Sequence, residues 1–120
     1  MKIGFNEAND RLCKDHSVIK DLEYCEKYGF DYIDIQSECL NRDLEAGKIT
    51  LEEMGEWFKT HHLKMLSYNA LCFFNMKQTQ EEKDAVMAEL DEIIRRCDTL
   101  GCKMIVVVPS KDMKERGLTP

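Results

Sequence analysis

Proline is scarce in this chain, with two among 120 residues, and tryptophan occurs once. Few prolines leave long stretches able to form helices and central strands without losing a backbone donor. No apolar run approaches the ~20 residues that span a bilayer, so no membrane partner is expected. Met1-Lys2 leads straight into an apolar-patterned strand and not into a secretory leader, which makes the cytoplasm the natural compartment. An excess of basic residues is also missing: 17 Lys and Arg stand against 23 Asp and Glu, for a formal charge of −6. Binding through phosphate neutralisation needs clustered Lys and Arg, so no nucleic acid is expected either. The six cysteines contain no C-x-x-C pair. In a reducing compartment they read as small hydrophobes, Cys25 and Cys97 at apolar helix positions among them, and not as a disulfide or zinc framework.

What the chain does contain is one plan used repeatedly. An amphipathic stretch ends at a helix-stopping residue and a short apolar strand follows. The clearest copies are Tyr28-Gly29-Phe30-Asp31-Tyr32-Ile33 and Leu100-Gly101-Cys102-Lys103-Met104-Ile105. Between them lies His62-Leu63-Lys64-Met65-Leu66, and Lys2-Ile3-Gly4-Phe5 opens the series. A unit of about 30–36 residues is the signature of βαβ crossovers and a parallel sheet. Strands are expected near 2–6, 32–36, 64–69 and 103–108. Ser17 suits the N-cap of a first helix carrying Val18, Leu22 and Cys25. Thr50-Leu51-Glu52-Glu53 and Thr79-Gln80-Glu81-Glu82 read as capping boxes. They open helices with the stripes Leu51, Met54, Phe58 and Val86, Leu90, Ile93, Ile94, Cys97. Residues 37–49, polar and without strong periodicity, read as a long connection.

The resulting class is α/β: four parallel strands with three crossover helices, in one partial domain over residues 1–120. Such a unit is either a small open sheet or the N-terminal half of a (β/α)8 TIM barrel, whose full length is ~250 residues. Phe5-Asn6-Glu7-Ala8-Asn9-Asp10 offers none of the glycines of a phosphate-binding turn, which argues against the open sheet.

Several runs carry a more specific likeness. They are Phe5-Asn6-Glu7-Ala8, the stretch from Asp21 to Ile35, Trp57-Phe58-Lys59-Thr60-His61-His62-Leu63-Lys64, Asn69-Ala70-Leu71-Cys72-Phe73-Phe74-Asn75, and Thr99 to Pro109. Together they resemble the xylose-isomerase-like TIM-barrel family of sugar isomerases and epimerases, and within it the inosose isomerases. The likeness covers the family's N-terminal half. It implies a metal-dependent isomerase that moves a proton next to a ketone on a polyol or keto-inositol substrate, assisted by a divalent metal, zinc or manganese. The family's ligands are a Glu, Asp, His and Glu at the ends of strands 5 to 8, beyond the fourth strand. No residue here inherits a catalytic or metal-ligating role from them, and no metal is expected on this chain alone. The implied protein partner is a C-terminal half-barrel or a second copy of the chain.

Barrel active sites lie at the C-terminal ends of the strands. The candidate pocket wall is therefore Asn6, Glu7, Gln36, Asn69, Phe73 and Ser110. Alternation sets Gly4/Asn6, Asp34/Gln36 and Ser67/Asn69 on the inner face, with Ile105 and Val107 as apolar inner residues, and Phe5, Ile35 and Tyr68 toward the helices. Amides at successive strand ends suit a polyol, because each both donates and accepts; capping strand ends in water is the plainer reading. Phe73 and Phe74 either cover a sugar-ring face or plug the barrel top. His61-His62 precedes the third strand, at the face away from the chemistry, and reads as a helix-terminal pair; His16 stands alone before the first helix. An endonuclease IV-like nuclease is disfavoured by Asn69 and Pro109, which stand where that type places histidine ligands. A non-catalytic half-barrel module is the remaining alternative.

Overall fold

The computed structural model describes residues 1–9, 15–72, 74–75, 77 and 79–109. Four strands, β1 (Gly4–Asn6), β2 (Tyr32–Gln36), β3 (Lys64–Cys72) and β4 (Ile105–Val108), form one sheet in the order β1-β2-β3-β4. All three pairings are parallel. Four α-helices connect them: α1 (Val18–Lys27), α2 (Ser37–Glu45), α3 (Leu51–Thr60) and α4 (Gln80–Leu100), with a 3-10 turn at Glu7–Asn9.

Two of the helix boundaries follow from local chemistry. Thr50 accepts from the Glu53 N–H at 3.1 Å, and Glu53 accepts from the Thr50 N–H at 3.0 Å, a closed capping box at the start of α3. Gly101 ends α4 at φ +71°, a left-handed position that a side chain would strain. The Cys102 N–H then reaches back to the Cys97 carbonyl at 2.9 Å.

Three helices were expected and four are present, because residues 37–45 are helical. The polar composition of that stretch hid a short stripe: Cys39, Leu40 and Asp43 are buried, and two of the three are not the large aliphatic residues that mark a helix face. Inward-facing Asp43 broke the apolar periodicity.

One core holds the layers together. It joins Leu22 and Cys25 of α1, Leu40 of α2, Met54 and Phe58 of α3, and Ile93 and Cys97 of α4 to Ile33, Ile35, Met65 and Tyr68 of the sheet. Ile33 and Ile35 share a strand face by the two-residue period, so all four helices cover the same side of the sheet. Each such large aliphatic side chain contributes about 1.5–3 kcal/mol by its burial.

Two expectations about side-chain placement change. Ile94 is 44% exposed, because α4 buries the narrower line of Ile93, Cys97 and Leu100. Ile105 pairs with Tyr68 and packs against the helix-side core, and does not face the inner side. β3 itself is irregular. Its register shifts against β2 between Met65 and Ser67, and against β4 between Asn69 and Leu71. Each shift inserts an unpaired residue and re-phases the alternation, as a β-bulge does. β3 also continues past Asn69 to Cys72.

Candidate functional site

Of the expected wall residues, Asn6 and Gln36 end their strands and Asn69 lies within β3. Asn6 ends β1, is exposed, and its Oδ1 accepts from the Ala8 N–H at 2.9 Å, which closes the following turn. Gln36 ends β2 and pairs in register with Asn69 of β3, which in turn pairs with Val106 of β4. Gln36 is 8% exposed, and its side-chain Nε2 makes no hydrogen bond among the described residues. A buried amide donor of this kind costs stability unless something accepts from it. One register step below, Asp34 lies between Asn6 and Ser67, and the Ser67 hydroxyl donates to Asp34 Oδ1 at 2.6 Å. Phe73 and Ser110 lie outside the described residues; Phe74 is 39% exposed.

Glu7 takes a different place from its neighbours on the wall. It is fully buried, and its Oε1 accepts the Gln36 N–H at 2.8 Å, which ties the turn after β1 to the end of β2. Its Oε2 lies 3.6 Å from His16 Nε2. His16 is buried as well, with Asp21 Oδ2 at 2.6 Å from Nε2 and an Arg42 guanidinium nitrogen at 3.0 Å from Nδ1. Arginine has only donors, so Nδ1 is the acceptor there and the ring proton sits on Nε2, where it points at Asp21. Cys39, on the first turn of α2, completes the group with a thiol pushed up to about 12, by burial first and by the nearby Glu7 carboxylate second. A short way off, Asp43 caps the N-terminus of α1 across the helix pair.

From sequence His16 read as a lone histidine before the first helix, and Asp21, Cys39, Arg42 and Asp43 were given no site role. His16 and Asp21 face each other at a separation of five residues, where the last residues before a helix meet its first turn. That spacing alone is too common to be a signal. Arg42 and Cys39 reach them only because residues 37–45 are helical.

At the opposite end of the sheet, the two adjacent histidines have structural partners. His61 stacks on Trp57 with ring centroids 3.9 Å apart and planes 8° apart. His62 Nε2 lies 2.7 Å from Asp31 Oδ1. The Asp31 carboxyl is held below its usual range by the Ile3 N–H first and by His62 second.

The comparisons with known proteins agree with this architecture. Residues 22–119 match the family model described as Xylose isomerase-like TIM barrel. An inosose isomerase of Bacillus velezensis is 38% identical over 110 residues, which cover 91% of this chain and 38% of that protein. An inosose isomerase of Bacillus licheniformis is 40% identical over 121 residues, again 91% of this chain and 38% of the relative. A crystal structure of the IOLI protein with a bound zinc atom superposes with a TM-score of 0.80 at 38% identity, over 96% of this chain and 41% of that one. A Sinorhizobium meliloti protein, 16% identical with a TM-score of 0.71, shares the fold. This chain thus spans well under half the length of the curated relatives it matches, 38% in each of those two. Parallel strands in sequential order, crossover helices on one face and a family match over most of the chain converge: the chain belongs to the xylose isomerase-like TIM barrel family, and its four strands correspond to half of that barrel.

Proposed function

We propose that this chain forms the first-half wall of an isomerase that moves a proton next to the ketone of a polyol, with inosose or a close keto-inositol as substrate. The observation that carries this reading is the in-register pair of amides Gln36, which ends β2, and Asn69 on β3, with Asn6 at the end of the neighbouring β1 and a Gln36 donor left without an acceptor among the described residues. A substrate hydroxyl or carbonyl oxygen satisfies such a donor, and a neutral amide does so without trapping charge. Phe73 and Ser110 complete the proposed wall, and Glu7 supports it from behind through the Gln36 N–H. The inosose isomerase relatives, at 38% and 40% identity, support the substrate class.

A divalent ion of the kind bound in the IOLI protein, when present, polarises the carbonyl and neighbouring hydroxyl of an α-hydroxyketone. The strand ends described here do not fit that ion: Asn6, Gln36 and Asn69 present neutral amides, and Asp34 is engaged by Ser67. In this reading the chain's own residues bind and orient the polyol. The remaining strands, from a C-terminal half-barrel or less simply from a second copy, supply the ion and the proton-moving carboxylates. The proposal takes the cytoplasm as the reaction's compartment. Separately, among the described residues, no helix is long and apolar enough to cross a membrane.

Complementation tests this. The chain is co-produced with the C-terminal part of the Bacillus velezensis inosose isomerase, and inosose isomerisation is followed. Turnover is expected from the pair and from neither part alone, with Gln36→Ala and Asn69→Ala each raising KM by about tenfold, one lost hydrogen bond. A folded, associated pair that leaves inosose unchanged overturns the assignment.

A further inference from the structure

We propose that Glu7, His16 and Cys39 form a buried site for a zinc-like divalent transition metal. A carboxylate oxygen, an imidazole nitrogen and a thiol sulfur from these residues all lie within 4.8 Å of one another, and all three residues are buried. They come from three separate segments: the turn after β1, the residue before the α1 cap, and the first turn of α2. The mixture of donors selects the metal class. Imidazole and thiolate suit zinc and its transition-metal neighbours, whereas calcium and magnesium require oxygen ligands.

The separations are already close to what an ion needs. Zinc–ligand bonds of about 2.0–2.3 Å place neighbouring donor atoms roughly 3.3–3.8 Å apart in a tetrahedron. Glu7 Oε2 and His16 Nε2 stand 3.6 Å apart. The Cys39 sulfur lies within 4.8 Å of both partners, within reach of that spacing by side-chain adjustment. Asp21 Oδ2, 2.6 Å from His16 Nε2, holds the imidazole beside the site. The support around the site is also in place. Glu7 Oε1 is held by the Gln36 N–H, which fixes the carboxylate and directs Oε2 toward the imidazole.

Charge gives the same answer. Glu7 is fully buried and the Asp21 side chain is 8% exposed, and a bound cation offsets part of the cost of burying carboxylates. On loading, the ion displaces the thiol proton of Cys39 to solvent and the His16 ring proton shifts from Nε2 to Nδ1, so one proton is released per ion. Nδ1 then carries the ring hydrogen, and the Arg42 side chain swings outward. The ion would join three connections behind the wall at Gln36. The proposal departs from the sequence-based expectation that the chain alone holds no metal.

Cobalt(II) titration into the chain, kept reduced with a phosphine, tests the site. Cobalt bound by a thiolate gives a near-ultraviolet charge-transfer band that a site built of carboxylates and histidine lacks. One cobalt per chain with that band is expected, and Cys39→Ser should abolish the band. Glu7→Gln keeps the hydrogen bond to Gln36 within reach and should weaken cobalt binding by at least about tenfold while the band remains at saturation. A chain that gains no band, or a band undiminished in Cys39→Ser, overturns the proposal. If Cys39→Ser does not fold, an unchanged cobalt affinity in Glu7→Gln overturns it equally.

Discussion

The Asp43 carboxylate, near the end of α2, accepts the N–H of Val18, the first residue of α1, at 2.8 Å, and the Ser17 hydroxyl at 3.2 Å. Helix α1 is thus capped by another helix, while its own N-cap residue, Ser17, makes no capping bond. A buried anion at a helix N-terminus satisfies an orphan donor and meets the positive end of the dipole. Asp43→Ala should lower unfolding free energy by about 2–3 kcal/mol, the range for hydrogen bonds to a charged group. Ser17→Ala should cost well under about 1 kcal/mol, reversing the usual order for an N-cap serine. Urea midpoints of the two variants decide between these.

Gly55 in α3 faces α4 so closely that an added Cβ would sit 2.5 Å from the Thr99 carbonyl oxygen. Alanine gains about 1 kcal/mol of helix propensity over glycine, but overpacking costs about 1–3 kcal/mol. The clashing atom is backbone, near the end of α4, and cannot rotate away. Gly55→Ala should therefore lower the thermal midpoint, and a raised midpoint would show that α3 and α4 slide apart freely.

Acid should destabilise the fold through three carboxylates. Glu26 is held below its usual range by the Leu63 N–H first, at 3.0 Å, with the His62 N–H assisting. Asp31 is lowered by the Ile3 N–H and then His62, and Glu92 falls to about 2 beside Arg95 and Arg96. A group with a depressed folded pKa contributes stability that is fully present above its unfolded value and is lost as pH falls through the folded one. The window here runs from 4.5, the usual value of Glu26 and Glu92, down toward about 2. Urea midpoints should decline across it, and Glu26→Gln should flatten part of the decline while lowering stability at neutral pH. Because Glu92 and Arg95 are about half exposed, Glu92→Gln should matter less and its effect should fade in salt.

The chain by itself should self-associate. β1 and β4 are the outer strands of an open sheet, and their outward N–H and C=O groups template further pairing. Ile3, Leu66, Met104, Val107 and Val108 are all more than a third exposed. Light scattering at micromolar concentration should show dimers or larger species. A monodisperse 14.0 kDa particle that unfolds cooperatively would refute this.

The sequence by itself determined whatever acts within one helical turn or one strand. The capping box of Thr50 and Glu53, the left-handed Gly101 and the stripe Leu51-Met54-Phe58 are local patterns, and each is where the residues placed it. The spacing of these units, with the family likeness of the runs between them, was enough for a parallel half-barrel. Only the tertiary structure decided the rest. The Glu7 bond to Gln36 spans 29 residues, and Arg42 reaches His16 across 26. Such contacts depend on how two connections fold over the strand ends, and no short-range period encodes that. The helix at residues 37–45 was hidden for the same reason: its inward face carries Asp43, whose burial is favourable only because α1 brings its N-terminus to meet it.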